Sequence, residues 1–104
     1  MMVLTHVVVM KFTDPADAPK AKELLEGLVG VVPQIRSLLV GLDTVHSDVS
    51  GDLCLVTTHD DADGLLGYQS HEAHLEVAGW LRPRLASRAV VDYLSAGHPP
   101  RPQA

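Results

Sequence analysis

The chain has few cysteines, few basic residues and few aromatic side chains, and each shortage argues against a class of protein. The single cysteine, Cys54, cannot form an intrachain disulfide, which fits a reducing cytoplasm. Eight basic against thirteen acidic residues give a net charge of −5 with no lysine or arginine stripe. Nucleic acid is therefore not an expected partner. Aromatic residues make up only 4% of the chain, so an apolar binding pocket would be aliphatic.

Long apolar runs are also missing, and no segment approaches the ~20 residues that a membrane helix needs. The beginning, Met1 to Phe12, has no basic region before its apolar run and no small-residue cleavage site after it, so no signal peptide is expected. A chain of 104 residues is long enough for one core. We expect one cytoplasmic domain at residues 1–96, no membrane contact, and a Pro-rich tail at residues 97–104.

The apolar pattern predicts the element order β-α-β-β-α-β, which is the ferredoxin-like α+β fold with a four-stranded antiparallel sheet. The predicted strands are Val3–Phe12, Leu38–Asp43, Leu53–His59 and Arg88–Leu94. The first helix is expected to begin at an Asp17 cap and to carry Leu24, Leu25 and Leu28 on its apolar stripe before Gly30 stops it. The second helical region breaks near Ser70, where a new helix is expected to begin.

The sheet has more apolar surface than its helices can cover. Two helices of ~10 Å diameter cover only one face of a sheet about 15 to 20 Å wide. Residues 3–9 and 38–42 nevertheless show little polar alternation, so both faces avoid water. The simplest cover is the same face of a second copy, which predicts a homodimer whose two sheets form one barrel.

Candidate chemistry is concentrated between Tyr68 and His74, where a phenol and two imidazoles fall within seven residues. His71 and His74 are spaced i, i+3, whereas zinc sites on one helix more often use i, i+4, and no third ligand is evident. The aspartates around residues 60–63 are better explained as helix caps. We therefore expect neither a metal nor a cofactor.

Four segments together resemble the stress-responsive dimeric α+β barrel (Dabb) family, over about residues 3–93. They are His6–Phe12, Gly41–Asp43, Tyr68 with His71 and His74, and Val91–Tyr93. The resemblance implies the dimeric barrel. One branch of the family, the olivetolic acid cyclase-like proteins, closes linear poly-β-keto chains by aldol condensation without cofactor or metal.

The resemblance also implies roles for individual residues. Tyr68 and His74 correspond to the catalytic pair, Asp92 lies next to the histidine, and His6 lies in the pocket. The remaining expected ligand-binding residues are Val8, Met10, Leu24, Leu28 and His71. Glu72 departs from the family pattern, which more often has proline after the first histidine.

A neutral imidazole at His74 could remove a proton between two carbonyls, and the Tyr68 phenol could hold the enolate oxygen. Asp92 could orient His74. On the purely structural interpretation, Tyr68 closes a helix against the core and His74 forms a satisfied polar pair with Asp92.

Three functions remain open from the sequence. The first is binding of a small, apolar, oxygen-bearing molecule with acid–base catalysis. The second is a non-enzymatic, stress-associated assembly protein, and the third is a monooxygenase without haem or flavin. A cavity of a few hundred Å³ that reaches His6 and Tyr68 would favour the first, and a filled interior would favour the second.

Overall fold

The computed structural model describes residues 2–96, so the predicted tail at residues 97–104 lies outside it. The strands are β1 (Val3–Phe12), β2 (Ser37–Leu42), β3 (Leu53–His59) and β4 (Leu85–Ser95). The helices are α1 (Ala18–Glu26), α2 (Ala62–Ser70) and α3 (Glu72–Leu81). Short 3₁₀ turns precede α1 and follow α3. Of the helices in this part of the chain, none is long and apolar enough to cross a membrane.

The four strands form one antiparallel sheet in the order β2-β3-β1-β4, which confirms the predicted ferredoxin-like fold. Strand β1 is central, since it pairs with β3 on one side and with β4 on the other. The β1–β4 register places His6 opposite Asp92 and Met10 opposite Arg88. Because paired residues in an antiparallel sheet point to the same face, these four side chains share the helix-covered face.

The core lies between the sheet and the helices. Every second residue of β1 points toward the helices and is buried there. Val8, Met10 and Phe12 are each at most 4% exposed, and they pack against Leu25 of α1 and Leu81 of α3. Burial of this alternating set fixes the register of β1, since a slip by one residue would turn it toward the other face.

The other side of the sheet carries an apolar surface that no helix covers. Register places the following residues on this surface, which we call the open face: Val7, Val9, Leu39, Cys54, Val56, Ala89, Val91 and Tyr93. Leu39 and Val91 are 67% and 61% exposed, respectively. A contiguous apolar surface of this kind is typical of a protein–protein interface.

The structure corrects the predicted ends of several elements. Helix α1 ends at Glu26, yet Leu28 stays buried because the turns that follow fold it against the core. Asp17 occupies the cap position without a side-chain hydrogen bond, and it is Asp14 that accepts a bond from the Ala16 amide in the preceding turn. Strand β4 begins at Leu85, before the predicted Arg88, because β1 pairs with it as far as Phe12.

Candidate acid–base site

The site is organised by a break between α2 and α3. The backbone of His71 is extended at the break, and its Nδ1 accepts a 3.0 Å hydrogen bond from the Ala73 amide. The cap of α3 is therefore His71 and not the predicted Ser70, whose hydroxyl donates back to the Leu66 carbonyl. The break turns the chain so that Tyr68, near the end of α2, meets His74 in the first turn of α3.

Tyr68 lies at the centre of three imidazoles and is fully buried. Its ring centroid is 4.6 Å from that of His74, 5.1 Å from that of His59 and 6.3 Å from that of His6. Within residues 2–96 the phenol oxygen has no hydrogen-bond partner. Burial raises the pKa of Tyr68 to about 12, so the phenol is a proton donor at neutral pH.

His74 has the properties of a neutral base. Burial lowers its pKa from 6.5, the Gln69 carbonyl opposes this, and the neighbouring His6, Arg82 and Arg88 lower it further. Its Nδ1 is buried and has no hydrogen-bond partner in the described part of the chain. An uncharged imidazole is what general-base catalysis at neutral pH requires.

His59 is a structural support for Tyr68. Its Nδ1 donates to the Gln34 carbonyl at 2.8 Å, so its Nε2 accepts from the Thr57 hydroxyl at 2.8 Å. Both ring nitrogens are therefore satisfied, and burial lowers the pKa of His59 from 6.5 despite the Gln34 carbonyl. We conclude that His59 is a neutral, fixed ring against which the phenol packs.

Gly67 allows α2 to approach this support. A Cβ at position 67 would lie 3.1 Å from the side chain of Gln34, whose carbonyl holds His59. A larger residue would require the Gln34 side chain to shift by a few tenths of an ångström. Gly67 therefore allows a close contact between α2 and Gln34.

Asp92 pairs with His6, which corrects the prediction that it orients His74. The Asp92 carboxylate accepts a 2.5 Å hydrogen bond from His6 Nδ1, because β1–β4 register sets the two residues opposite each other on one face. His6 is 6% exposed, and the pair leaves its Nε2 as the nitrogen available to a ligand. The predicted His74–Asp92 polar pair is absent from the described structure.

A cavity of 440 Å³ lies between α3 and the β1–β4 half of the sheet, and we call it the α3 cavity. His6, Tyr68 and His74 line it together, as do the predicted apolar residues Val8 and Met10. The other lining residues are Leu25, Leu55, Gln69, Val77, Ala78, Leu81, Arg82, Leu85, Arg88 and Val90. The cavity thus joins a phenol and two imidazoles to a chamber that has both apolar and charged walls.

Three predicted ligand-binding residues do not line the α3 cavity. Leu28 is buried in the core and Leu24 is half-buried, whereas it is Leu25 of α1 that reaches the cavity. The difference is one position on the helix, about 100° of rotation, which the apolar stripe alone does not resolve. His71 is used as the cap of α3, and within residues 2–96 no set of three His, Cys, Asp or Glu side chains could hold a metal.

The sequence interpretation missed Arg82 and Arg88, which bring positive charge to the α3 cavity. For Arg88 a signal exists: period-two alternation puts it on the same face of β4 as Val90 and Asp92. The fold is needed to show that β4 pairs with β1 and that this face of β4 lines the cavity. Arg82 follows the last residue of α3, a position that sequence alone explains as a helix C-cap.

The fold and site define a ferredoxin-like α+β domain with a buried phenol–imidazole centre, and comparison with known proteins supports the fold. The sequence profile of the stress responsive A/B barrel domain matches residues 4–95. The chain therefore belongs to the stress responsive A/B barrel domain family. No curated protein matches the chain.

Solved structures share the fold. A dimeric protein of unknown function and ferredoxin-like fold from Bacteroides fragilis is 26% identical, with a TM-score of 0.79 over 88% of this chain and 94% of that one. The hydroxynitrile lyase of Passiflora edulis is 15% identical, with a TM-score of 0.77 over 94% and 97%. SnoaB, a cofactor-independent oxygenase from Streptomyces nogalater, is 13% identical, with a TM-score of 0.64 over 98% of each chain. The last two show a common fold only.

The unpartnered phenol gives a prediction about stability. Removing the hydroxyl in Tyr68→Phe should leave the ligand-free protein equally stable or more stable by up to ~2 kcal/mol, because a buried polar group without a partner opposes folding. Urea unfolding measures the difference. A clear loss of stability in Tyr68→Phe would mean that the phenol is held by a partner.

The two buried histidines give a prediction about pH. NMR titration of the ring protons should place the pKa values of His59 and His74 below 6.5. Because the unfolded chain then binds protons more readily than the folded chain, the contribution of the two neutral histidines to stability is complete above about pH 6.5. It is lost as the pH falls through the folded-state pKa values. The urea concentration at the unfolding midpoint should therefore decrease when the pH is lowered from about 7.5 to about 5.5. An increase on lowering the pH would contradict the assignment of both rings as neutral.

Proposed function

We propose that this protein binds a small, apolar, oxygen-bearing molecule in the α3 cavity and catalyses cofactor-free acid–base chemistry of the polyketide-cyclase kind. The observation that carries the proposal is that one cavity of 440 Å³ reaches Tyr68, His74 and His6 together. Its volume lies within the range of small-molecule sites, and its walls combine apolar side chains with polar and charged ones.

The chemistry begins with His74, whose neutral ring takes the proton from a carbon between two carbonyl groups. The Tyr68 hydroxyl donates a hydrogen bond to the enolate oxygen that forms, and its raised pKa keeps the proton on the phenol. The enolate carbon then attacks a second carbonyl of the same chain, which forms a carbon–carbon bond and an alkoxide. The imidazolium of His74 returns its proton to that alkoxide, so the step is balanced without an oxidant or a metal.

His6 has a positioning role in this scheme. The Asp92 carboxylate fixes the orientation of its ring by accepting a hydrogen bond from Nδ1. When it carries a proton, the Nε2 of His6 would donate a hydrogen bond to the oxygen of the second carbonyl. Burying a histidine that is hydrogen-bonded to a carboxylate stabilises a fold no better than an apolar residue of similar volume would. A purely structural role therefore does not explain the pair.

The competing function is a non-enzymatic assembly protein of the same fold. Burying a phenol oxygen and an imidazole nitrogen without partners beside an open cavity brings no structural advantage. Such groups are expected where a ligand completes their hydrogen bonds. The enzymes of the same fold support catalysis in a general way, and no particular feature of the site favours the oxygenase alternative.

Proton abstraction can be tested without knowing the natural substrate. The protein should accelerate deuterium exchange at the carbon between the carbonyls of nonane-2,4-dione, measured by NMR in D₂O. Tyr68→Phe and His74→Ala should each lower this rate by about 10²-fold, the usual contribution of acid–base assistance. His46→Ala, which removes an exposed imidazole far from the α3 cavity in sequence and not among its lining residues, is the control and should exchange at the wild-type rate.

Circular dichroism and thermal melting should show that all three variants keep the fold. If Tyr68→Phe and His74→Ala both exchange at the wild-type rate, these residues have no part in the chemistry. If the wild-type protein gives no acceleration, the catalytic proposal fails and the assembly function becomes the better explanation.

We further propose that the protein is a homodimer formed through the open face. Exposed Leu39, Val91 and Tyr93 would cost free energy in contact with water, at roughly 25 cal/mol for each Å² of apolar surface. The helices occupy the opposite side of the sheet, so a second open face packed about 10 Å away is the simplest cover. Solved proteins of the same fold are dimeric, which supports this arrangement.

Sedimentation equilibrium at micromolar concentration should give twice the chain mass of 11.2 kDa. Val91→Asp should shift the protein toward 11.2 kDa, because dimerisation would bury an unpaired charge. Leu66→Asp is the matched control, since Leu66 is 62% exposed against 61% for Val91 but lies on α2. A wild-type protein of 11.2 kDa, or equal effects of the two substitutions, would contradict the proposed interface.

A further inference from the structure

The α3 cavity carries positive charge on its wall that neither the fold nor the acid–base pair requires. Arg82 and Arg88 line the cavity directly, whereas the Asp92 carboxylate pairs with the lining residue His6 and is not itself a lining residue. Asp92 and Arg88 lie on the same face of β4, four residues apart, which separates their Cα atoms by roughly 13 Å. A ligand in this cavity therefore meets two guanidinium groups and no carboxylate.

The two guanidinium groups are available to a ligand. Within residues 2–96 neither Arg82 nor Arg88 forms an ion pair, although Arg36 in the same structure pairs with Asp60. Both residues are exposed at the cavity wall, so their charges remain solvated when no ligand is bound. Their influence on the His74 ring places their charge close to the acid–base pair.

Ordinary structural roles explain these arginines poorly. A cation after the last turn of α3 is favourable, but Arg84 already donates to the Trp80 carbonyl at 2.7 Å and stacks on the Trp80 ring. Arg88 lies within β4, where no helix end accounts for it. It also stands on the helix-side face opposite buried Met10, where an apolar residue would complete the wall.

We propose that Arg82 and Arg88 bind the carboxylate of the ligand, so that the α3 cavity accepts an elongated apolar acid rather than a neutral molecule. This inference rests on the proposed function for the location of the site and adds the class of ligand. Guanidinium groups form paired, charge-assisted hydrogen bonds with a carboxylate. With its carboxylate at the arginines, the acid would place its apolar chain along Val8, Val77 and Leu81.

A binding measurement tests the inference independently of catalysis. Octanoate and octanamide have nearly the same shape and differ in charge, and their Kd values can be measured by ¹⁵N–¹H NMR titration. The wild-type protein should bind octanoate roughly fivefold to tenfold more tightly than octanamide, as expected for a partly exposed charge-assisted pair. Resonances of residues 88–90 should shift most strongly with octanoate.

Arg88→Gln and Arg82→Gln should each reduce this preference, and the double variant should abolish it while octanamide binding stays unchanged. Arg84→Gln is the matched control, because it removes the same charge from the same turn but not from the cavity wall. The inference is overturned if neither compound binds, if both bind equally, or if the preference survives in the double variant. It is also overturned if Arg84→Gln has the same effect, since net charge and not the site would then be responsible.

The result is separable from the catalytic proposal. Octanoate has no acidic carbon between two carbonyls, so its binding does not depend on His74 acting as a base. An arginine-dependent preference together with unchanged deuterium exchange in the Tyr68 and His74 variants would retain the ligand class and remove the proposed reaction. Accelerated deuterium exchange without any preference for octanoate would retain the proposed reaction and remove the proposed ligand class.

Discussion

Strand β1 has two faces that both avoid water, and the helices can cover only one of them. This constraint accounts for most of the molecule. On the covered face, Val8, Met10 and Phe12 form the floor of the core. On the open face, Val7 and Val9 continue into an apolar surface shared with the neighbouring strands. One strand therefore determines both where the interior lies and where a second subunit would pack.

The covered face is not filled evenly, and this is the origin of the α3 cavity. Strand β4 pairs with β1 along its whole length, but its helix-side residues Val90 and Leu94 remain 41% and 58% exposed. The helices pack over β1, β2 and β3 and leave this edge of the sheet less well covered. A cavity at that edge can open to solvent while its inner wall, at Tyr68, stays buried.

The polar groups of the cavity differ in how well they are satisfied. His59 uses both of its nitrogens, and His6 is held by Asp92. The Tyr68 hydroxyl and His74 Nδ1 are buried without partners in residues 2–96. The hydrogen-bonded rings of His59 and His6 pack around the unpartnered groups of Tyr68 and His74. This arrangement is expected when some side chains position the site and their neighbours react. The burial that leaves Tyr68 and His74 unsatisfied also shifts the pKa of the phenol upward and that of the imidazole downward.

The sequence by itself determined the order of the elements and the apolar character of both sheet faces, because alternation and turn chemistry are local properties. It also singled out the stretch from Tyr68 to His74, since titratable side chains are rare in the apolar segments, and the family resemblance added His6. The tertiary structure alone decided which groups meet. Asp92 lies on His6 because of the β1–β4 register, and Leu25 rather than Leu24 reaches the cavity because of the rotation of α1. Arg88 lines the cavity because the β1–β4 register places it opposite Met10. Strand pairing over long sequence separations sets such contacts, and no local sequence pattern encodes them.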